Sequence, residues 1–600
     1  MGCDGAGARD RKRHGRHYTP VALARFLAGR VAARVPRGLP LIQVLDPACG
    51  EGELLFAVRA ALAARYPDTP VGLVGYDVDR PALAIAAERA EASGIDIDLR
   101  EGNFLAEFVD LTGEQFDLVI ANPPYVRTQQ LGGVQAQVLS RRFGLSGRID
   151  LTHPFVAALP LLIRPGGVLG LLCANRFLTT RAGANLRVVL STHLSPVELY
   201  DLGDTKLFEA AVLPAVTVAI RGAADGVCRY VSVYEVESGR RGRSDVDGAS
   251  EFGAEVGADA AGGGLPVQAD LFAALVGSRD VLVRYRRRLF SVEVGTLDTG
   301  DAGRSVSVVS DKRPDTGRSV WRMSRGGRDA WLVGVGERTW KTFGEVARIR
   351  VGIKTNADRV FISDHWPEPA PEAELLRELI THHDTAPWRL ARARSTRVLY
   401  PYDITRPHRV PVDLRRYPQA AAYLDTHREA LLARKYLTAS GREWFEHWVP
   451  QRPHLWGAPK VVFPDISDRP RFALDRSGAV VNGDCYWITL ADLARVVGGG
   501  RAEDLAYLLM GVANSTLGLR FYDAVCGNRL YAGRRRWITQ YVSRFPLPDP
   551  ETRRAAEVVR AVRRLVEERE PDPLRSAELD ELVWASFSQV PPAPGGTGRG

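Results

Sequence analysis

The first 235 residues alternate strand-like and helix-like segments, and this alternation constrains the fold more than any other feature of the 600-residue chain. Residues 41–45 form a short apolar run, and residues 53–65 space their apolar side chains as a helix does. Residues 71–76 and 80–92 repeat that pair. Residues 116–121, 167–173, 197–202 and 212–220 read as further strands, and residues 152–163 as a further helix. Apolar runs of this kind must be covered on both faces, which predicts an α/β sheet flanked by helices on each side.

The composition then shifts. Residues 237–265 are rich in Gly, Ser, Asp and Ala and nearly lack aromatics, so they are expected to form a flexible linker or long loop. The expected division is a catalytic domain at 1–236, a second domain at 266–550 with scattered Trp and Tyr and short β-like runs, a helical segment at 551–589, and a disordered Pro/Gly-rich tail at 590–600. A chain of this length needs more than one core.

Charge and cysteine usage narrow the function classes. The net charge of +9 permits a polyanionic partner without requiring one. Six cysteines without a Cys-x-x-Cys pair, and without His clusters at metal spacing, argue against structural zinc and a disulfide framework, so no metal is expected. Residues 1–16 are charged and lack the apolar region of a signal peptide, and no 18-residue apolar run suggests a membrane span. A cytoplasmic monomer is the expectation.

Three signals suggest a nucleoside cofactor. Asp46, Pro47, Ala48, Cys49 and Gly50 stand in a small-residue turn between a strand and a helix, where backbone can approach a ligand closely. Asp77 closes the next strand, where a carboxylate can accept from both hydroxyls of a ribose. Asn103 follows a short strand at 96–100; its oxygen can accept from an adenine amine, and Phe104 can pack on the ring. No Gly-Lys-Ser/Thr follows the turn, so phosphate-cradling chemistry is not expected.

The strand at 116–121 runs into Asn122-Pro123-Pro124-Tyr125. Two prolines fix φ and remove amide donors, leaving carbonyls to accept. The Asn122 oxygen and the Pro123 carbonyl can each take one hydrogen of a planar amine and direct its lone pair at an electrophilic methyl group. Tyr125 offers a flat face to an extruded base.

In their order these motifs resemble the TaqI-type adenine-specific DNA methyltransferases. The resemblance implies a Rossmann-like seven-stranded sheet that binds S-adenosyl-L-methionine, followed by a mixed α+β target-recognition domain. Residues 16–21, Arg-His-Tyr-Thr-Pro-Val, resemble the family's opening motif and place Tyr18 and Thr19 at the cofactor. Residues 46–49 would line its methionine, Asp77 its ribose, and Asn103, Phe104 and Pro124 its adenine. Asn103 departs from the Asp often found there. Asp150 and residues 175–178 match later elements of the domain, and Phe177 and Phe208 are candidates for the second face of the base pocket.

The resemblance extends into the second half through Gly352-x-x-Thr355, residues 505–517 and residues 541–550. Double-stranded DNA is therefore the expected partner. Lys354 and Arg359, and the cluster Arg529, Arg534, Arg535 and Arg536 with its interleaved aromatics, are the expected DNA contacts. Residues 284–288 form a second basic run. The expected system is restriction–modification or related phage defence, which leaves room for a separate restriction endonuclease or defence subunit. No nuclease motif stands in a plausible place within the chain. Methylation of cytosine N4, of a protein glutamine or of RNA remains open, as does a DNA-binding protein whose methyltransferase fold has decayed.

Overall fold

The computed structural model describes residues 19–113, 115–125, 133–147, 149–207, 213–222, 227–236, 266–299, 320–325, 330–391, 395–526, 530, 533–567 and 573–587. Expectations about Tyr18, Phe208, Arg529, the linker at 237–265 and the tail at 590–600 fall on or almost wholly on residues outside that set.

Five parallel strands carry the first half: β1 (Ile42–Asp46), β2 (Val71–Asp77), β3 (Asp98–Glu101), β4 (Phe116–Ala121) and β5 (Ile163–Ala174). All six β4 residues are buried. Leu118 and Ile120 enter one core and Val119 and Ala121 the other, as side chains alternate across a sheet, while an irregularity in register between Phe116 and Leu118 turns Phe116 to the second core. The helices Val21–Ala32 and Glu53–Arg65 cover the first face. Thr152–Leu162 and Ala184–Thr192 cover the second.

Beyond β5 the sheet becomes mixed. β6 (Ser195–Asp201) and β7 (Pro214–Ile220) are antiparallel, and β8 (Arg229–Glu235) runs parallel to β6. The sheet does not stop there. β9 (Val267–Gln268), β10 (Val281–Tyr285), β11 (Arg288–Asp298) and β12 (Arg322–Ser324) extend it to twelve strands, in the order β3-β2-β1-β4-β5-β7-β6-β8-β11-β10-β9 with β12 beside β11.

This corrects both the seven-strand count and the boundary at residue 236. β8 pairs with β11 along its whole length, from Glu235↔Phe290 to Arg229↔Thr296. Leu271, Leu275, Val283, Phe290 and Val292 are buried in the same core as Val231 and Val233. The low-complexity stretch 237–265 reads in sequence as a boundary that puts residues 266–324 in the second domain. The strands that follow it join the sheet that precedes it, β11 on β8 and β9 on β10.

The second half has two cores. One centres on the helix Ala502–Asn514, which is buried from Leu505 to Ala513. The helices Arg553–Glu567 and Pro573–Ser586 pack here through Val558, Val562, Val583 and Trp584, so the expected separate segment at 551–589 belongs to this core. Gly511 permits the approach: a Cβ there would meet Val558 at 2.8 Å. The other core holds Phe361, Tyr400, Trp456 and Trp487. The halves touch where Thr179 Oγ1 and the Tyr541 hydroxyl share a hydrogen bond of 3.1 Å. Among the described residues, no helix is long and apolar enough to cross a membrane.

Candidate active site

Because β1 to β5 are parallel, Asp46, Asp77, Glu101, Ala121 and Ala174 end on one edge of the sheet. Loops after those strands meet there, which is where open α/β sheets bind ligands.

After β1 the chain turns through Gly50 at φ +53° and Gly52 at φ +80°, left-handed values that favour glycine. Nothing lies within 4 Å of a Cβ built on Gly50, so the turn faces open space; at Gly52 a Cβ would meet the Phe56 ring at 2.9 Å. The Asp77 carboxylate is fixed over this turn, with one oxygen accepting from Gly50 N and the other from Asp79 N, both at 2.8 Å. Asp46 is 1% exposed and accepts from Ala48 N at 3.1 Å. Burial, with the nearby Asp77 charge adding to it, pushes its carboxyl up to about 8. Pro47 and Cys49 are buried, and Ala48 and Gly50 half-buried. Burial also pushes the Cys49 thiol upward, away from thiolate chemistry.

The donor set fits a cationic nucleoside. A buried carboxyl that burial holds high is one that an arriving ammonium can bring to its ionised form, and the fixed Asp77 carboxylate retains lone pairs for hydroxyls.

Asn103 and Phe104 sit differently from expectation. The Asn103 oxygen accepts from Leu105 N at 3.1 Å and caps the helix Phe104–Glu107. Phe104 is 2% exposed, stacked on Phe155 at 5.3 Å and edge-on to Tyr76. Both are explained by the fold; an adenine amine at Asn103 would share an oxygen already in use.

The loop after β4 is held from three directions. Asn122 Nδ2 donates to Thr19 Oγ1 at 3.0 Å, which orients the amide. Its Oδ1 accepts from the Tyr125 hydroxyl at 2.9 Å. Thr152 Oγ1 donates to the Pro124 carbonyl at 3.2 Å. Thr19, expected at the methionine, thus touches Asn122 directly. Thr152 was not foreseen: a hydroxyl opening a helix carries no mark in sequence of the carbonyl it will meet. Asp150 and Arg176 pair beside this loop. Burial raises the Tyr125 hydroxyl well above its ordinary range, with Cys173 and the Asp150 charge adding and Arg176 opposing. Phe177 is 3% exposed, its ring edge-on to Trp321, so it is a core residue here rather than an open face for a base.

The expected DNA contacts divide. Lys354 and Arg359 are exposed. Lys354 lines a groove with Arg348, Val351, Gln451, Tyr486 and Thr539. Gly352 lies so close to the Asn482 carbonyl that no Cβ fits, and Thr355 is buried against Asp358 and Ala357 N, so that motif builds the fold. Of the arginine cluster only Arg534 is exposed without an ion pair among the described residues. Arg535 is bidentate to Asp523 at 2.7 and 2.8 Å, and Arg536 is bidentate to Asp465 at 3.2 and 3.1 Å. These acids lie 12 and 71 positions away in sequence, so local charge counting could not find them.

Comparison with known proteins places the arrangement. The model of the Eco57I restriction-modification methylase family matches residues 85–208. Type II methyltransferase M.BanIII of Aneurinibacillus aneurinilyticus is 33% identical over 95% of this chain and 96% of its own. Type II methyltransferase M.XhoI of Xanthomonas vasicola is 25% identical over 88% and 90%. The structure of the type IIL restriction-modification enzyme MmeI in complex with DNA superposes with a TM-score of 0.57 at 14% identity, covering 96% of this chain and 72% of that one.

Proposed function

From the premise that the chain belongs to the type II restriction-modification methyltransferases, and so transfers a methyl group from S-adenosylmethionine to DNA, we propose that its target is the N6 amine of an adenine extruded from the duplex. The orientation of Asn122 supports transfer to an exocyclic amine, and the resemblance of the Asn-Pro-Pro-Tyr loop to that of adenine-specific enzymes supports adenine as its bearer. Thr19 takes the NH2 group of Asn122, and the Asn122 oxygen already serves as an acceptor, for the Tyr125 hydroxyl. A planar amine has two hydrogens to place. Asn122 Oδ1 takes one, and the Pro123 carbonyl takes the other.

S-adenosylmethionine, when bound, supplies a methyl group on a positively charged sulfur. Asp46 would pair with its ammonium, Asp77 would accept from its ribose hydroxyls, and the turn 47–50 would line its methionine chain. Asn122 and Pro123 would hold both N–H bonds and so direct the nitrogen lone pair toward the methyl donor, and the nitrogen would lose its surplus proton to solvent. Tyr125 stacks on the base. The site acts by orientation and by neutral acceptors at the nitrogen where positive charge develops.

Cytosine N4 presents the same two hydrogens. Duplex DNA treated with enzyme and cofactor, digested to nucleosides and separated chromatographically, distinguishes the two: N6-methyladenine supports the proposal, and N4-methylcytosine overturns it. Asn122→Ala should lower the rate of transfer about a hundredfold or more, as loss of one oriented polar partner does elsewhere, with cofactor affinity unchanged. Turnover near the wild-type value would remove Asn122 from the catalytic assignment.

A further inference from the structure

We infer that the hairpin between β10 and β11, with Lys206 beside it, is a contact surface for the phosphate backbone of duplex DNA, outside the target-recognition half. The inference rests on DNA being the substrate.

Strand directions place it. β5 and β6 both run antiparallel to β7, so Ala174 and Asp201 lie at the same edge, opposite Pro214 and Ala215. β8 runs parallel to β6, β11 antiparallel to β8, and β10 antiparallel to β11. The turn from Tyr285 to Arg288 therefore stands on the edge that carries Asn122. β11 is five strands along from β4. At about 4.8 Å per strand that is about 24 Å before twist shortens it, within one helical turn of a duplex.

The backbone of this tip is unusual. Arg286 at φ +48° and Arg287 at φ +65° both occupy the left-handed region, as a two-residue type I′ turn demands, and Lys206 beside them has φ +52°. Asn-Gly is the residue pair that such a turn accepts without strain. Two arginines there are strained, and both are exposed, as are Arg284 and Lys206; one hydrogen bond from Arg286 and its contact with the Tyr285 ring are the local return. Strain kept at a site that local packing does not need points to a role for the side chains.

The tip is also anchored. Arg288 grips both oxygens of Glu235 and donates to the Asp204 carbonyl at 3.0 Å, while Arg286 donates to the Lys206 carbonyl at 3.2 Å. Arg288 thus offsets the two nearest acids, Glu235 and Asp204. Among the described residues Arg284, Arg286 and Arg287 form no ion pair, and Lys206 lies close enough to Glu235 to help hold its carboxyl low without a direct salt bridge. Exposed cations on a rigid, strained tip suit a repeating line of phosphates, which rewards charge and position over shape.

The double variant Arg286→Asn, Arg287→Gly removes two charges and relieves the turn at once, so the two roles separate. In the full chain its melting temperature should equal or exceed that of the wild type. On a mixed-sequence duplex about three helical turns long, its affinity should fall, and the slope of log K against log salt should decrease by about 1.8, since each phosphate contact contributes about 0.9. The deficit should then shrink about twelvefold between 50 and 200 mM salt. Lys206→Gln should lower the slope by about 0.9 and serves as the second variant should the first fail to fold. A stable variant with unchanged affinity and slope overturns the inference. Failure of the wild-type enzyme to label duplex DNA would instead overturn the functional reading, whatever the variants do.

Discussion

The Tyr125 hydroxyl donates to the Asn122 side-chain oxygen at 2.9 Å, so the acceptor that the target amine needs is taken by the residue proposed to stack on the target base. The loop satisfies itself until a base enters, and the entering amine must displace the hydroxyl. Asn122 is half-buried, so an unpaired oxygen there would cost part of the roughly 1–3 kcal/mol of a fully buried one, which the internal bond avoids.

Tyr125→Phe keeps the stacking face and removes the competitor. Its rate of transfer should stay within a few-fold of the wild type, with KM for DNA equal or lower. Tyr125→Ala removes the face; base–aromatic stacking is worth about 1–3 kcal/mol, so kcat/KM should fall about 5- to 150-fold. If the Phe variant is as poor as the Ala variant, the hydroxyl and not the ring is what matters.

Asp77→Ala should raise the cofactor dissociation constant about 10- to 150-fold, the worth of hydrogen bonds to a charged group. The structure adds a second effect. Gly50 N and Asp79 N lose their acceptor, so the melting temperature should also fall. Calorimetry showing wild-type affinity in a variant with a lowered melting temperature would assign Asp77 a role in the turn alone.

Asp46 couples cofactor binding to pH. Its folded carboxyl titrates near 8, raised by burial, against about 3.9 in an unfolded chain. Across that window the folded state binds a proton that the unfolded state has lost, so stability without cofactor falls as pH rises from about 4 to about 8. A bound ammonium favours the carboxylate, so cofactor binding at pH 7 should release a proton. Calorimetry in buffers of different ionisation enthalpy measures this. Asp46→Asn should abolish the release, and a wild-type enzyme that releases none would remove Asp46 from the cofactor site.

A chain ended after residue 237 should not fold stably. It loses β11 from the edge of β8, and it loses Leu271, Leu275, Phe290 and Val292 from the core. At about 1.5–3 kcal/mol for each buried side chain, the loss is comparable to the whole stability of about 5–15 kcal/mol expected of a domain. Deleting most of residues 237–265 while joining β8 to β9 with a short loop should leave a cooperative thermal transition. A soluble, cooperative fragment at 237 would contradict the extended sheet.

Sequence by itself determined the elements whose causes are local. Glu53–Arg65 and Phe116–Ala121 have the bounds their side-chain patterns predict, and the turn at Gly50 and Gly52 follows from residues that tolerate left-handed φ. The Asn-Pro-Pro-Tyr loop was legible because a strand followed by two prolines restricts the backbone without outside help. Tertiary structure alone decided what depends on distant partners. The pairing of β8 with β11, and with it the place of β9 to β12 in the first sheet, is not legible in sequence, because pairing across the low-complexity stretch 237–265 leaves no periodic mark. Arg535 and Arg536 looked like a DNA-binding run until Asp523 and Asp465 arrived beside them. The orientation of Asn122 depends on Thr19, 103 residues earlier, and the support of Pro124 on Thr152. Local propensity acts over a few residues, whereas ion pairs, strand edges and side-chain orientation are settled by whichever groups the completed fold brings within about 3 Å.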